Sequence, residues 1–200
     1  MRNSVLTISA LLALGLGAIP AANAVTISLV PEQGTIQAGA TALVDVVASG
    51  LTDSDNAGAI GGYDLNVAFN SSLLSWTATT FGSGLNVTGF GDIQDFHPVT
   101  GSPGVVDTAE VSLDAPADLT ALQPNSFVLF TLSLTGIAPG TSALDLSVGS
   151  LTDEHGDPLV ADVQGSSLTV TAVPLPAAGW LLLSGLGSLL GFGRSRRALA

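Results

Sequence analysis

The chain has 200 residues, of which 46% are hydrophobic, and carries 16 acidic against four basic residues for a formal net charge of −12. There is no cysteine, which excludes disulfides, thiol catalysis and thiolate metal sites. The basic residues are Arg2, Arg194, Arg196 and Arg197, whereas every acid lies between Glu32 and Asp162, so the body has no cation to neutralise phosphate and nucleic-acid binding is excluded.

In chain order, the first element is an export signal over residues 1–24. Arg2 supplies a positive start, Val5 to Ile19 an apolar run, and Ala22-Asn23-Ala24 a cleavage site of the A-x-A kind, so that the mature chain starts at Val25. The body follows at 25–172 and reads as strand throughout. Ala42–Ser49 alternates Val44 and Val46 with Asp45, and Tyr63, Leu65, Val67 and Phe69 alternate with Asp64, Asn66, Ala68 and Asn70. The same period runs through Val128–Leu134, Leu144–Val148 and Leu168–Thr171, with weaker strands at Thr26–Val30, Leu74–Thr80, Leu85–Gly89 and Val105–Leu113. A short helical turn is expected near Ala115–Leu122. Turn residues cluster between these runs, as at Pro31–Gly34, Asp53–Gly62, His97–Gly104 and Pro139–Gly140. About nine short strands at this spacing predict an all-β, antiparallel two-sheet sandwich.

The chain closes on a third segment, 173–200. Val173-Pro174-Leu175-Pro176 precedes an uncharged run, Ala177 to Gly193, and then the Arg194, Arg196, Arg197 cluster. Seventeen uncharged residues are at the short end for a membrane-spanning helix, and the arginines would hold their end on the cytoplasmic side. These three features in this order resemble a PEP-CTERM sorting signal, with Leu175 in place of the more common Glu of the motif. The resemblance implies processing by an exosortase in a bacterium that makes exopolysaccharide, transient residence in the inner membrane, and a body delivered to the cell surface or released.

The body resembles a cohesin-like jelly roll related to carbohydrate-binding modules. The residues that carry this are Val25–Leu29, Ile36-Gln37-Ala38-Gly39, the strand Gly61–Asn70 running into Ser71-Ser72-Leu73-Leu74, Phe127–Thr135 with Gly140-Thr141, and Leu151-Thr152-Asp153-Glu154-His155-Gly156. Cohesins bind dockerin modules and related folds bind polysaccharide, so the resemblance implies a dockerin-like protein or a polysaccharide as partner, without fixing a ligand-binding residue.

Candidate sites are few. Asp53-Ser54-Asp55-Asn56-Ala57-Gly58 resembles the opening of a calcium loop, with Asp64 at the twelfth place. Ala57 stands where a third ligand belongs and Asp64 falls in a predicted strand, so a full EF-hand is not expected. Calcium is nevertheless the one cofactor the residues offer, through Asp53, Asp55, Asn56 and Asp64, against the competing reading of a polar loop. Asp153, Glu154 and Asp157 form a second acidic turn open to the same two readings. His97 and His155 read as exposed loop histidines, too few for a multi-histidine zinc centre. Trp76, Phe81, Phe90 and Phe96 are the aromatics available for stacking on sugar, and each also reads as core, as do Tyr63, Phe69, Phe127 and Phe130. The acids otherwise read as water-facing charge that keeps an exported protein soluble. No catalytic residue is assigned. The expected function is a non-enzymatic binding protein of the surface or extracellular matrix. A structural matrix component without a ligand and a secreted carbohydrate-active enzyme are the alternatives.

Overall fold

The computed structural model describes residues 25–51 and 58–174, together with Leu181, Ser184 and Gly185. The export signal with Ala22 and Ala24, the loop holding Asp53, Asp55 and Asn56, and most of the tail, including Leu175, Pro176 and the arginines, lie outside the described residues. Val173 and Pro174 are described and exposed. Among the described residues no helix is long and apolar enough to cross a membrane.

Eleven strands and one short helix follow one another: β1 Val25–Pro31, β2 Thr35–Gln37, β3 Thr41–Ser49, β4 Ile60–Phe69, β5 Leu74–Phe81, β6 Asp92–Pro98, β7 Val105–Ser112, α1 Pro116–Leu122, β8 Ser126–Gly136, β9 Gly140–Asp153, β10 Ala161–Gln164 and β11 Ser166–Thr171. They form two sheets, ordered β10-β1-β3-β8-β5 and β2-β11-β9-β4-β7-β6. Pairing is antiparallel except at two places near the sheet margins, where β1 meets β10 and β11 meets β2 in parallel.

The period-2 pattern explains why these residues form sheets. In β3, Ala42, Val44, Val46 and Ala48 point into the sandwich and are almost wholly buried; in β4 the same is true of Tyr63, Leu65 and Val67. Phe130, Leu132 and Leu134 of β8 and Leu144, Leu168 and Val170 of β9 and β11 complete one continuous core. Burying each large aliphatic side chain is worth about 1.5–3 kcal/mol, and these chains supply most of the stabilisation in a protein without disulfides.

Three expectations are corrected. Leu85–Gly89 is turn, not strand, because Leu85 is drawn under its own loop as a buried plug. Asp92–Pro98 and Ala161–Gln164 are strands the residue pattern did not show. Phe90 and Phe96 are not core: they are 77% and 45% exposed.

Two bulges shape β4 against β9. Register shifts between Ile60 and Gly62 and between Asp64 and Leu65, the second leaving Gly149 of β9 as the extra residue. A side chain at Gly149 would start 2.9 Å from an Asp64 carboxylate oxygen, so the glycine makes room for that acid.

Candidate functional site

The outward residues of β6, β7, β4 and β9 line up in rows across the six-stranded sheet. Ile93 lies opposite Val111 and Val111 opposite Gly62. The next row is Asp95, Ala109, Asp64 and Ser150, and the next His97, Asp107, Asn66 and Ser147. Val105, Ala68 and Asp145 make the last. Each of these side chains alternates with an inward neighbour, such as Val106, Thr108 and Glu110 on β7.

Ala68, Ala109 and Gly62 are the small residues of this face, one in each of three rows. One end is apolar: Ile93, Val111 and the adjoining Leu113 are 60%, 50% and 46% exposed, with Phe90 beside them in sequence. The middle is acidic. Burial on the sheet raises the Asp107 carboxyl above its ordinary range; the Asp64 and Asp95 carboxylates add to the rise and His97 opposes it. His97 Nδ1 stands 3.7 Å from Asp95 Oδ2, with both side chains largely exposed.

The opposite outer face, on β1, β3, β8 and β5, satisfies its own polar groups. Thr131 Oγ1 donates to Asp45 Oδ1 at 2.6 Å, the Thr41 and Thr135 hydroxyls pair at 2.8 Å, and Thr77 Oγ1 donates to the Ser133 carbonyl at 3.0 Å. Ser150 stands across from Asp64, yet among the described residues no hydroxyl donates a hydrogen bond to Asp64, Asp95 or Asp107.

Two further carboxylates, Glu110 and Asp114, are taken out of water and accept hydrogen bonds. Glu110 is 1% exposed and accepts a 2.8 Å hydrogen bond from the Tyr63 hydroxyl. Burial pushes its pKa up to about 8, the Tyr63 bond pulls the other way and Asp92 adds to the rise. Burial likewise raises the Tyr63 hydroxyl, as does the neighbouring Glu110. Asp114 is buried under the 83–91 loop and accepts bonds from the Thr88 hydroxyl and the Thr88 N–H. The hydroxyl bond chiefly lowers its pKa, against the effect of burial.

Of the residues singled out from sequence, Asp64 is in mid-strand on the acidic face, and His97 is on β6 rather than in a loop. Three of the candidate sugar-stacking aromatics do come together, at the open edge between β5 and β6. Trp76 and Phe96 lie 6.1 Å apart edge to face, and Phe81 and Phe96 lie 5.9 Å apart at a tilt. Their faces are turned on one another, and Trp76 and Phe81 pack against the core. Ile93, Asp95, Asp107 and Ala109 were not singled out. The polar phase of β7 is visible in the residues, but its alignment with β6 is a matter of register.

No protein-family model matches the chain, and no curated protein matches it. Among solved structures the chain is similar in fold to cohesins. A type II cohesin domain from the cellulosome of Acetivibrio cellulolyticus superposes with a TM-score of 0.60 at 15% identity, covering 72% of this chain and 95% of that one. A type I cohesin–dockerin complex from Clostridium thermocellum gives 0.56 at 15% identity, covering 73% and 99%. A non-cellulosomal cohesin from Archaeoglobus fulgidus gives 0.54 at 14% identity, covering 74% and 91%. The body is a cohesin-like two-sheet β-sandwich.

Proposed function

We propose that the chain is an exported surface or matrix protein whose cohesin-like module binds a protein partner through the outer face of β6, β7, β4 and β9. The observation that carries this reading is the row pattern: a face with an apolar end and a block of acids, Asp64, Asp95 and Asp107, that no hydroxyl among the described residues hydrogen-bonds. Such a face suits a protein surface that presents an apolar ridge flanked by lysine or arginine. The body has no basic residue of its own, so cations have to come from the partner. That at least one chain of similar fold was solved in complex with a dockerin makes a dockerin-like module the first partner to try. The edge cluster of Trp76, Phe81 and Phe96 is the alternative contact, for polysaccharide.

The test is a panel of dockerin modules and purified polysaccharides titrated against the mature chain, with and without calcium. Saturable binding to a protein that weakens steeply with salt supports the reading. Binding confined to polysaccharide and lost on Trp76→Ala moves the site to the edge cluster, and no binding leaves a structural matrix component.

The proposal extends to the ends of the chain, with residues 1–24 as export signal and 173–200 as exosortase-sorted tail. The Val173-Pro174-Leu175-Pro176 motif, the uncharged run and the arginine cluster support it. Mass spectrometry of both mature termini tests it: a product starting at Val25 and lacking Arg194–Ala200 is expected, and an intact tail contradicts the sorting step.

A further inference from the structure

The hairpin leaving β9, where Asp153 pairs with Ile60 at the start of β4, holds a second group of polar side chains. Asp153, Glu154 and His155 each present a ligand atom, all within 4.8 Å of one another. The three are held differently. Asp153 Oδ1 is occupied, accepting from the backbone N–H groups of His155 at 2.8 Å and Asp157 at 2.9 Å, which locks the turn. Burial works against ionisation of Asp153, but these bonds and His155 outweigh it and hold its carboxyl below the ordinary range. Its Oδ2 takes no part in those bonds.

Glu154 is the unusual member. Its side chain is only 9% exposed. One oxygen, Oε1, has His155 Nδ1 at 3.3 Å and the Thr120 hydroxyl at 3.4 Å. The other, Oε2, is buried without a hydrogen-bond partner. A buried carboxylate oxygen with no donor is costly, and the described residues include no lysine or arginine to offset it.

Gly58 shows where that oxygen points. A Cβ built there would lie 2.9 Å from Glu154 Oε2 and 3.8 Å from Asp153 Oδ2. The free oxygens of both acids therefore face the same spot beside residue 58, where a side chain would crowd them. His155 stands against the other oxygen of Glu154, its side chain 64% exposed.

We propose that Asp153, Glu154 and His155 form a binding site for one divalent cation beside Gly58. Two carboxylate oxygens with an imidazole favour a first-row transition ion such as Mn²⁺ or Zn²⁺ over Ca²⁺, which prefers an all-oxygen shell. Three protein ligands leave the remaining positions to water. The ion supplies the positive charge that the chain itself lacks around Glu154, and ties the β9 hairpin to the start of β4.

The full chain, stripped with chelator, is titrated with MnCl₂, ZnCl₂ and CaCl₂ by calorimetry, and its melting midpoint is followed with and without each ion. One equivalent of Mn²⁺ or Zn²⁺ is expected, with a rise in midpoint. Glu154→Gln and His155→Ala are each expected to weaken binding at least tenfold, Gly58→Ala to weaken it by displacing Glu154 Oε2, and Asp157→Asn to leave it unchanged. His155→Ala changes an exposed side chain and so reports on binding even if Glu154→Gln disturbs the hairpin. The proposal is overturned if no ion binds stoichiometrically, or if Ca²⁺ alone binds and His155→Ala has no effect. It is equally overturned if Glu154→Gln and His155→Ala bind like the parent while Asp53→Asn with Asp55→Asn abolishes binding.

Discussion

The two outer faces of the sandwich are built on the same scaffold and end in opposite conditions. On the five-stranded sheet the one acid of β3, Asp45, is met by the Thr131 hydroxyl, and Thr41 and Thr135 pair across the same two strands. On the six-stranded sheet Asp64, Asp95 and Asp107 stand in adjacent rows with alanine, asparagine, histidine or serine opposite them, and none of these donates a hydroxyl hydrogen bond to the acids. The first surface is complete in itself. The second stores like-charge repulsion, which an incoming cation relieves. What separates them is whether a hydroxyl closes on the acid: Thr131 does so on Asp45, and none of the described residues does so on Asp64, Asp95 or Asp107.

The strongest way to break this contrast is to put a large cation at the centre of the acidic face. Ala109→Arg is expected to lower partner affinity about a hundredfold, through steric block and loss of acidic potential, while Thr135→Arg on the other face leaves it within about twofold. Titration of both variants against the same partner checks it. Neutralising Asp64 and Asp107 together to asparagine is expected to cost about tenfold and to flatten the salt dependence of binding. If both faces respond alike, the contrast has no functional meaning.

A third experiment sharpens the comparison through the interior. Between pH 4.5, the ordinary Glu value, and about 8, folded Glu110 keeps a proton that the unfolded chain has released. Stability therefore falls as pH rises through that window, with a slope of up to about 1.4 kcal/mol per pH unit from this group. Glu110→Gln removes this component, and denaturant melts of both proteins at several pH values measure it. The smallest change expected is Thr131→Val, at about 1 kcal/mol of stability for the lost hydrogen bond to Asp45, with partner binding unaltered.

Much of the sandwich was legible in the residues, because β3, β4, β8 and β11 bury one face and expose the other, and alternation is then unambiguous. β6 was not. Its inward residues are Asp92, Gln94 and Phe96 and its outward ones include Ile93, so an edge strand with polar inner positions carries the apolar signal in the wrong phase. β10 is four residues long and pairs in parallel at a margin, where few side chains are buried. In β7 both phases hold valines, Val105 and Val111 outward and Val106 inward. Alternation alone could not show that Glu110 is buried while Asp107 is not. The acidic face followed the same limit. Asp64 and Asn66 are visible as the polar phase of β4, but their meeting with Asp107 and Asp95 depends on the register of β4 with β7 and of β7 with β6, which is set by loops no periodicity describes.

The central claim is that the six-stranded face, not the five-stranded one, meets the partner. Methyl NMR of the mature chain with a bound partner tests it directly. The Ile93, Ala109 and Val111 methyl signals should shift on saturation, while those of Val30, Leu43 and Val47 on the opposite face stay in place. Shifts confined to Val30, Leu43 and Val47 would contradict the account.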